Sequence, residues 1–451
     1  MISTSLRSLI PPFWQSPAGG PRRRQPGGVI CVPVNTFSEG QDAPGRASTA
    51  VAVSAFDVAR VRGLYPALGD GWIHFDPQAG AQIPGAVSSA VANAFRGFVS
   101  NPYGVYAAAA HTRSIVQAAR VAVADLVNGK PEGVVLGPSR EQLINSLAES
   151  LSARLGLGSE IVLCRLDDDA NQSPWLRVAD RGGGRVRWVE ADIETGEVPA
   201  WQFEELAGPS TSVIAVPYAS STIGTVIDVA AAAQAAHRVG ALLVVDATSA
   251  APYELLDIER LGADVLLVSA NRWGGPQVAA MAFRDPSIFG RLRAVNPDRS
   301  LTGPERFELG EHQYAMLAGF IASIDHLAGL DESSVGTRRD RLEQSMFGLR
   351  QYQQRLLFYL LNSLASAPQV AIIGRAERRV PTVSFTMPGV PAAKAAKRLA
   401  DNGVCALSNV PSRYFAGLGV PEYGGAVTVG LAPYSTPYDV DQLVRALASL
   451  G

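Results

Sequence analysis

The sequence predicts a doubly wound, mostly parallel α/β sheet followed by a smaller α+β domain. Three observations predict it. Short runs such as Ala241-Leu-Leu-Val-Val are apolar on both faces, as strands of a buried parallel sheet are. Such runs alternate with helical patterns from Val134 to Phe283, which implies right-handed crossovers. After Pro297 the texture changes to one long amphipathic helix and a few short strand-like stretches, the pattern of a separate α+β unit.

Residues 1 to 52 stand apart. Pro, Gly and Ser dominate them, Arg22-Arg23-Arg24 stand together, and the first acidic residue is Glu39. The composition predicts a disordered extension. An Arg-rich, acid-poor start is also what a transit peptide shows, but there is no clear amphipathic helix and no long apolar stretch for secretion.

From Phe56 the elements follow in order. Asp57–Leu64 is helical, Trp72–Phe75 a short strand, Pro84 opens a helix through Phe98, and His111–Val127 is an Ala-rich helix. Strand Val134–Leu136, helix Ser139–Leu155, strand Ile161–Arg165, helix Ser173–Asp180 and strand Val186–Val189 come next. Beyond the polar turn Glu194-Thr195-Gly196, strand Val213–Pro217 leads to helix Val229–His237. Strands Leu242–Val245, Val265–Ser269 and Val278–Phe283 complete the sheet. The last part holds helix Arg338–Leu361, strands Val370–Ile373 and Thr382–Thr386, and helix Ala392–Asn402. A short strand near Cys405, another at Ala426–Leu431, and helix Pro437–Leu450 end the chain. The domains are therefore 53–300 and 301–451, with the first helix of the large one packing on the small one.

Composition excludes several function classes. The 451 residues are 47% hydrophobic and 18% charged, too apolar for a disordered chain. A net charge of -2 gives no basic stripe for nucleic acid. No apolar run reaches the roughly 18 residues of a spanning helix, so no membrane role is expected. Cys31, Cys164 and Cys405 form neither a disulfide framework nor a zinc spacing, which makes the cytoplasm the default compartment. Of the 39 basic residues only Lys130, Lys394 and Lys397 are lysines; the other 36 are arginine. Arginine stays charged and is no amine nucleophile, so chemistry that needs a free amine has three candidates.

In an open parallel sheet ligands gather beyond the carboxyl ends of the strands. Four loops sit there. Gly137-Pro138-Ser139-Arg140-Glu141 opens a helix, where Ser139 can cap and free N–H groups suit a phosphate, or where nothing more than an ordinary capped helix stands. Asp246 ends a buried strand and must find a partner: a cationic ligand nitrogen, or the following turn through Thr248 or Ser249. Ser269-Ala-Asn271-Arg272-Trp273-Gly274-Gly275-Pro276 could hold a phosphate, or place Arg272 on backbone carbonyls. Asp167-Asp168-Asp169 lacks the spacing of a calcium loop and reads as a solvated helix N-terminus. His74, His111, His237, His312 and His326 share no metal-ligand spacing and read as structural, with His237 on a core-facing stripe. No nucleophile elbow, P-loop or dinucleotide fingerprint is present, since Gly182-Gly-Gly184 precedes a strand. That tells against a nicotinamide dehydrogenase.

Taken in order, these loops resemble the class V aminotransferase family, in its cysteine desulfurase-like branch, from about Phe56 to Leu450. The resemblance rests on Trp72-Ile-His-Phe-Asp76, Ala119–Asn128, Asp169-Ala-Asn-Gln-Ser-Pro-Trp175 and Ser220-Ser-Thr-Ile-Gly-Thr225. It continues through Val244-Val-Asp246, Ser269–Pro276, Arg306-Phe-Glu-Leu-Gly310 and Tyr434-Ser-Thr436. It implies the pyridoxal 5'-phosphate (PLP)-dependent transferase fold, aspartate aminotransferase-like, and a homodimer with PLP at the interface. Asp246 matches the carboxylate that pairs with the pyridinium nitrogen; Ser269 and the Ser139-Arg140 helix start match the phosphate site.

The departures from the family pattern fall on the chemistry. Asn271-Arg272 stands where the family has His-Lys, and that lysine forms the Schiff base. Asp168 replaces the ring-stacking histidine, Ser221 an asparagine near the ring hydroxyl, and Ser249 a glutamine after the aspartate. Thr428 stands for the arginine that clamps the substrate carboxylate, and Cys405 falls short of the desulfurase nucleophile loop. Losing the lysine would remove acid–base help worth typically 10² to 10⁴-fold. Two expectations follow. One is an aminotransferase-like enzyme of altered chemistry, holding PLP noncovalently with Arg272 as a charge partner and taking a small amino acid. The other is a pseudoenzyme: a non-catalytic dimeric scaffold or a regulator that binds a phosphorylated metabolite.

Overall fold

A computed structural model describes residues 56–97 and 100–450; the expected N-terminal extension and Phe98 lie outside the described residues. Strand β1 (Ile73–His74) belongs to the far end of the chain and is taken up below. The main sheet is built from β2 (Val134–Gly137), β3 (Glu160–Cys164), β4 (Arg185–Val189), β5 (Thr211–Pro217), β6 (Leu242–Asp246), β7 (Val265–Ser269) and β8 (Ala279–Phe283). Their order across the sheet is β2-β8-β7-β6-β5-β3-β4. Strands β3 to β7 run parallel, whereas β8 is antiparallel to both neighbours, β2 and β7. Strand β2 therefore points the same way as β7. The carboxyl ends of β2, β3, β5, β6 and β7 all reach one edge of the sheet, which is where a ligand crevice belongs.

Both faces of this sheet are buried, which the two-sided apolar strands demanded. Val162, Cys164, Ile214, Val216, Leu243, Val245, Leu266 and Val268 join one core; Ile161, Leu163, Val213, Ala215, Val244 and Leu267 join the other. Helix Arg140–Leu151 begins at an N-cap, Ser139, whose Oγ accepts from the Gln142 amide at 3.2 Å. Helix Asp169–Gly182 starts four residues before the expected Ser173, with Pro174 inside it and Gly183 closing it at φ 76°. Helix Tyr314–Ala328 was not expected from the sequence. It is apolar almost all round, so it lacks the one-sided period that marks a surface helix, and it buries Leu317, Phe320 and Ile324.

The rest of the chain carries an antiparallel sheet. Strands β9 (Ala371–Ile373), β10 (Thr382–Thr386), β11 (Val404–Cys405), β12 (Leu407–Ser408) and β13 (Val427–Gly430) follow the 28-residue helix Arg338–Ala365. Four of them form a sheet in the order β12-β13-β10-β9, while β11 pairs in parallel with β1. The opening helix Val58–Gly63 is tied to late segments of the chain. Arg62 donates to the Tyr434 carbonyl at 2.6 Å and to Asp439 at 3.1 Å, and Arg60 donates to the carbonyls of Gly329 and Leu330. No helix among the described residues is long and apolar enough to cross a membrane.

Candidate functional site

The strand ends bring three of the predicted positions into direct contact. Asp246 closes β6 and is buried, and an isolated carboxylate there would be costly. It is not isolated. One oxygen accepts from the Thr248 amide at 2.9 Å, and the other accepts from the guanidinium of Arg140 at 2.7 Å. Arg140 reaches across from the first turn of its helix and also donates to Asp168 at 2.9 Å. Of the two alternatives left open for Asp246, the cap on the turn after β6 is present, through Thr248; the cation beside it is no ligand nitrogen but the guanidinium of Arg140.

Charge accounts for the arrangement. Asp167, Asp168 and Asp246 each place a carboxylate oxygen within 4.8 Å of the others. Burial opposes the charge of Arg140, but Asp246, Asp168 and Glu141 outweigh it and hold the guanidinium above the usual arginine range. Burial, with Asp168 and Asp246 nearby, pushes the Asp167 carboxyl well above its ordinary value, against the opposing hydrogen bond from Asn171. The expectation of a solvated acidic run is corrected for Asp167, which is buried, and for Asp168, which is ion-paired; only Asp169 is exposed, where it meets Arg413 at 2.7 Å. The physical reason is the neighbouring Arg140, which makes a carboxylate cluster tolerable away from water.

Arg272 lies on a single turn of 3-10 helix after β7, half-buried, close enough to feel Arg140, Asp168 and Asp246. Burial lowers its pKa, Arg140 lowers it further, and the two aspartates and Tyr253 oppose. Its guanidinium has no hydrogen-bond partner among the described residues, so the expectation that it bonds backbone carbonyls does not hold. The two hydroxyls expected at a phosphate are engaged locally: Ser139 caps its helix, and Ser269 donates to Asn271 at 2.9 Å. The Asn271 carbonyl accepts from the Ala81 amide at 2.9 Å, and Gly274, at φ 89°, lets the loop lie on the Gln82 carbonyl, where a Cβ would come within 2.5 Å. Ser221 and Ser249 are half-buried in turns and make no side-chain bond to this group among the described residues. Thr428 is buried in β13 with its hydroxyl 2.7 Å from that of Ser384.

Other expectations are redistributed. His237 is not on a core-facing stripe; it is 40% exposed and pairs with Asp264 at 3.2 Å. Lys130 precedes β2 at the opposite edge of the sheet, and Lys394 and Lys397 ride the exposed side of helix Ala392–Asp401; all three are exposed. Missed from the sequence was a buried network in which Arg120 donates twice to Glu308, at 2.8 and 2.9 Å, while Glu308 also meets His312 and the Leu136 amide. Arg120 and Glu308 are too far apart in the chain to signal one another, but Arg120 set among Ala119, Val121, Ala122 and Val123 was a legible hint.

The class V aminotransferase family model matches residues 73–443. An uncharacterized protein of Mycobacterium tuberculosis (strain CDC 1551 / Oshkosh) is 53% identical over 397 residues, covering 88% of this chain and all of that one. An aminotransferase-like protein of Gibberella zeae is 26% identical, covering 87% of this chain and 98% of its own length. Among solved structures, the cysteine desulfurase CsdA of Escherichia coli superposes with a TM-score of 0.74 at 23% identity, covering 88% of this chain and 98% of that one. The apo cysteine desulfurase of Thermococcus onnurineus NA1 gives 0.76 at 22% identity, covering 87% and 97%. These structural likenesses establish the shared fold.

Proposed function

The chain belongs to the class V aminotransferase family, whose members use PLP, and from that premise we propose that it is a pseudoenzyme of the family: a reversible binder of a phosphorylated ligand that has lost Schiff-base catalysis. The observation that carries this reading is the 2.7 Å contact between Arg140 and Asp246. In the family that carboxylate serves the pyridinium nitrogen of the cofactor; here a guanidinium of the same chain already neutralises it. As arranged, the residues fit the phosphate end of PLP and not its ring. Arg272, without an ion pair among the described residues, offers charge for a phosphate, while the Ser139 and Ser269 hydroxyls would have to leave Gln142 and Asn271 to join it. The ring would have to displace Arg140, and Asp168 offers no aromatic face against which it could stack. Without a lysine at position 272 these residues would hold PLP noncovalently, and Arg140 would compete with its ring for Asp246.

Arg272 cannot close a Schiff base, and the three lysines are exposed and lie on other elements. Conventional transamination and desulfuration at useful rates are outside this chemistry. We also infer a homodimer: Phe95, Tyr103, Val105 and Tyr106 are exposed apolar side chains gathered in one stretch of sequence, the kind of surface a second copy covers. Sedimentation at micromolar concentration should give twice the chain mass. The cytoplasm remains the compartment we assign, since three scattered cysteines suit a reducing environment.

The test is to titrate PLP into the purified chain, follow the visible absorption, treat with borohydride and map the peptides by mass. The expected result is no PLP-modified lysine and loss of any bound cofactor on dialysis. A stoichiometric reduced adduct on Lys130, Lys394 or Lys397 contradicts the proposal.

A further inference from the structure

A second cluster of reactive side chains sits where an early strand meets a late one. Strands β1 and β11 pair in parallel with His74 directly opposite Cys405. Opposed residues of a ladder project to the same side, and so does the residue two further along an extended strand. The sequence His74-Phe75-Asp76 therefore sends His74 and Asp76 one way and Phe75 the other. Phe75 is fully buried among Val404, Val429 and Leu431, and its backbone is bonded on both sides, to the Cys405 carbonyl at 2.9 Å and to the Gly430 amide at 2.8 Å. The frame is thus fixed by packing and hydrogen bonds.

On the other side, a ring nitrogen of His74, a carboxylate oxygen of Asp76 and the Cys405 sulfur all lie within 4.8 Å of one another. Two of their polar atoms are buried without a hydrogen-bond partner among the described residues, Nε2 of His74 and Oδ1 of Asp76. Orphaned groups of this kind are rare in folded proteins and each calls for a partner. The other ring nitrogen, Nδ1, sits 3.1 Å from the Gln82 side-chain amide nitrogen and is also the nitrogen that faces Asp76, 3.8 Å from its Oδ1. The Gln82 contact suits a metal-ligating imidazole: with the Gln82 amide turned so that its oxygen faces Nδ1–H, Nε2 is left bare.

We propose that His74, Asp76 and Cys405 form a site for a borderline divalent cation, zinc being the natural fit. One nitrogen, one oxygen and one sulfur are the donor set zinc accepts, and three protein ligands leave a fourth position for water. Ligands about 2.0–2.3 Å from a tetrahedral ion stand roughly 3.5 Å apart, so donors that already lie within 4.8 Å of one another need to close inward by no more than about 1 Å. Binding replaces the thiol proton of Cys405, which leaves to solvent, and the ion offsets the thiolate and carboxylate that would otherwise face one another. Cys405 is half-buried, so an ion can reach it.

The experiment uses the full chain, stripped with chelator and titrated with Co²⁺ alone, then with Zn²⁺. We expect one equivalent of cobalt, a thiolate-to-cobalt charge-transfer band, the strong visible bands of a tetrahedral ion, and displacement by zinc. Cys405→Ser should abolish the charge-transfer band, while Cys31→Ser and Cys164→Ser keep it. Gln82→Ala should weaken cobalt binding by about 10- to 100-fold without removing the band. Circular dichroism checks each fold, and His74→Ala, which should lose tetrahedral binding, stands in should Cys405→Ser fail to fold. A band that survives Cys405→Ser, cobalt bound without thiolate character, or no uptake at all, as when a water bridges the orphaned atoms, overturns the proposal.

Discussion

Replacing Arg140 by methionine keeps an apolar stem of similar reach and removes the guanidinium. Asp246 and Asp168 then lose a shared cation held at 2.7 and 2.9 Å, with Asp167 inside the same 4.8 Å cluster. Breaking a buried ion pair by deleting one partner typically costs 3–5 kcal/mol, because the charge left behind is uncompensated. At roughly 2.1 cal/mol/K of unfolding entropy per residue, a chain of 451 residues has about 0.9 kcal/mol/K, so the melting temperature should fall by about 3–5 °C. The pH dependence gives the sign. In the variant the penalty is that of buried negative charge without its cation, so it is full at neutral pH and fades as acid neutralises that charge. Asp246→Asn on top of Arg140→Met keeps the oxygen that accepts from Thr248 and should recover part of the loss. Scanning calorimetry at pH 7 and pH 4.5 measures all of this. A melting temperature unchanged within about 1 °C at pH 7, or a deficit that grows on acidification, would refute the ion-pair account.

Further expectations rest on other parts of the molecule. Burial opposes the charge of Glu308, but the hydrogen bond from His312 and the Arg120 pair prevail and hold it at about 2. Against its ordinary 4.5 that corresponds to ~3 kcal/mol of stability, present above pH 5 and lost between about pH 5 and 2; Glu308→Gln should flatten that limb of an acid-unfolding curve. Burial, aided by Arg60, lowers His326 to about 4, with its ring 2.8 Å from the Tyr65 hydroxyl. Stability held by keeping it neutral is present above pH 6.5 and is lost as pH falls toward 4, so His326→Gln should be less acid-sensitive by ~3 kcal/mol across that window in urea titrations. Gly224→Ala should be severely destabilising, since at φ 75° its Cβ would stand 2.5 Å from the Val380 carbonyl. Gly240→Ala, at φ 73° with open space around it, should cost only about 1 kcal/mol, and the two melting curves compared side by side check this. Arg272→Lys should restore a borohydride-reducible PLP adduct, and more completely when combined with Arg140→Ala; mass mapping to position 272 decides it.

The main sheet was legible because its strands carry apolar residues on both faces, as Val265–Ser269 does with the expected bounds; Thr382–Thr386 of the smaller sheet was legible from its alternation of polar and apolar residues. The reversal of β8 was not, since Ala279–Phe283 reads the same whichever way it runs. Helix Tyr314–Ala328 escaped because burial all round erases the helical period, and helix Asp169–Gly182 was started late because Pro174 looks like a first-turn residue. The site's loops could be found from strand ends alone. What joined them could not, because a guanidinium reaching Asp168 and Asp246 depends on how the strand ends lie side by side. The pairing of His74 with Cys405 was hidden for the same reason, being made by a two-residue ladder between distant segments.

The most direct test of the central claim, that Arg140 competes with a cofactor ring for Asp246, is the equilibrium affinity for PLP of the wild-type chain and of Arg140→Ala, measured by dialysis at pH 7. The account predicts weak, fully reversible binding to the wild type and binding at least about tenfold tighter to the variant, a difference of ~1.4 kcal/mol. Equal affinities, or weaker binding to Arg140→Ala, would mean that Arg140 helps hold the cofactor, and the reading of Asp246 as already occupied would be wrong.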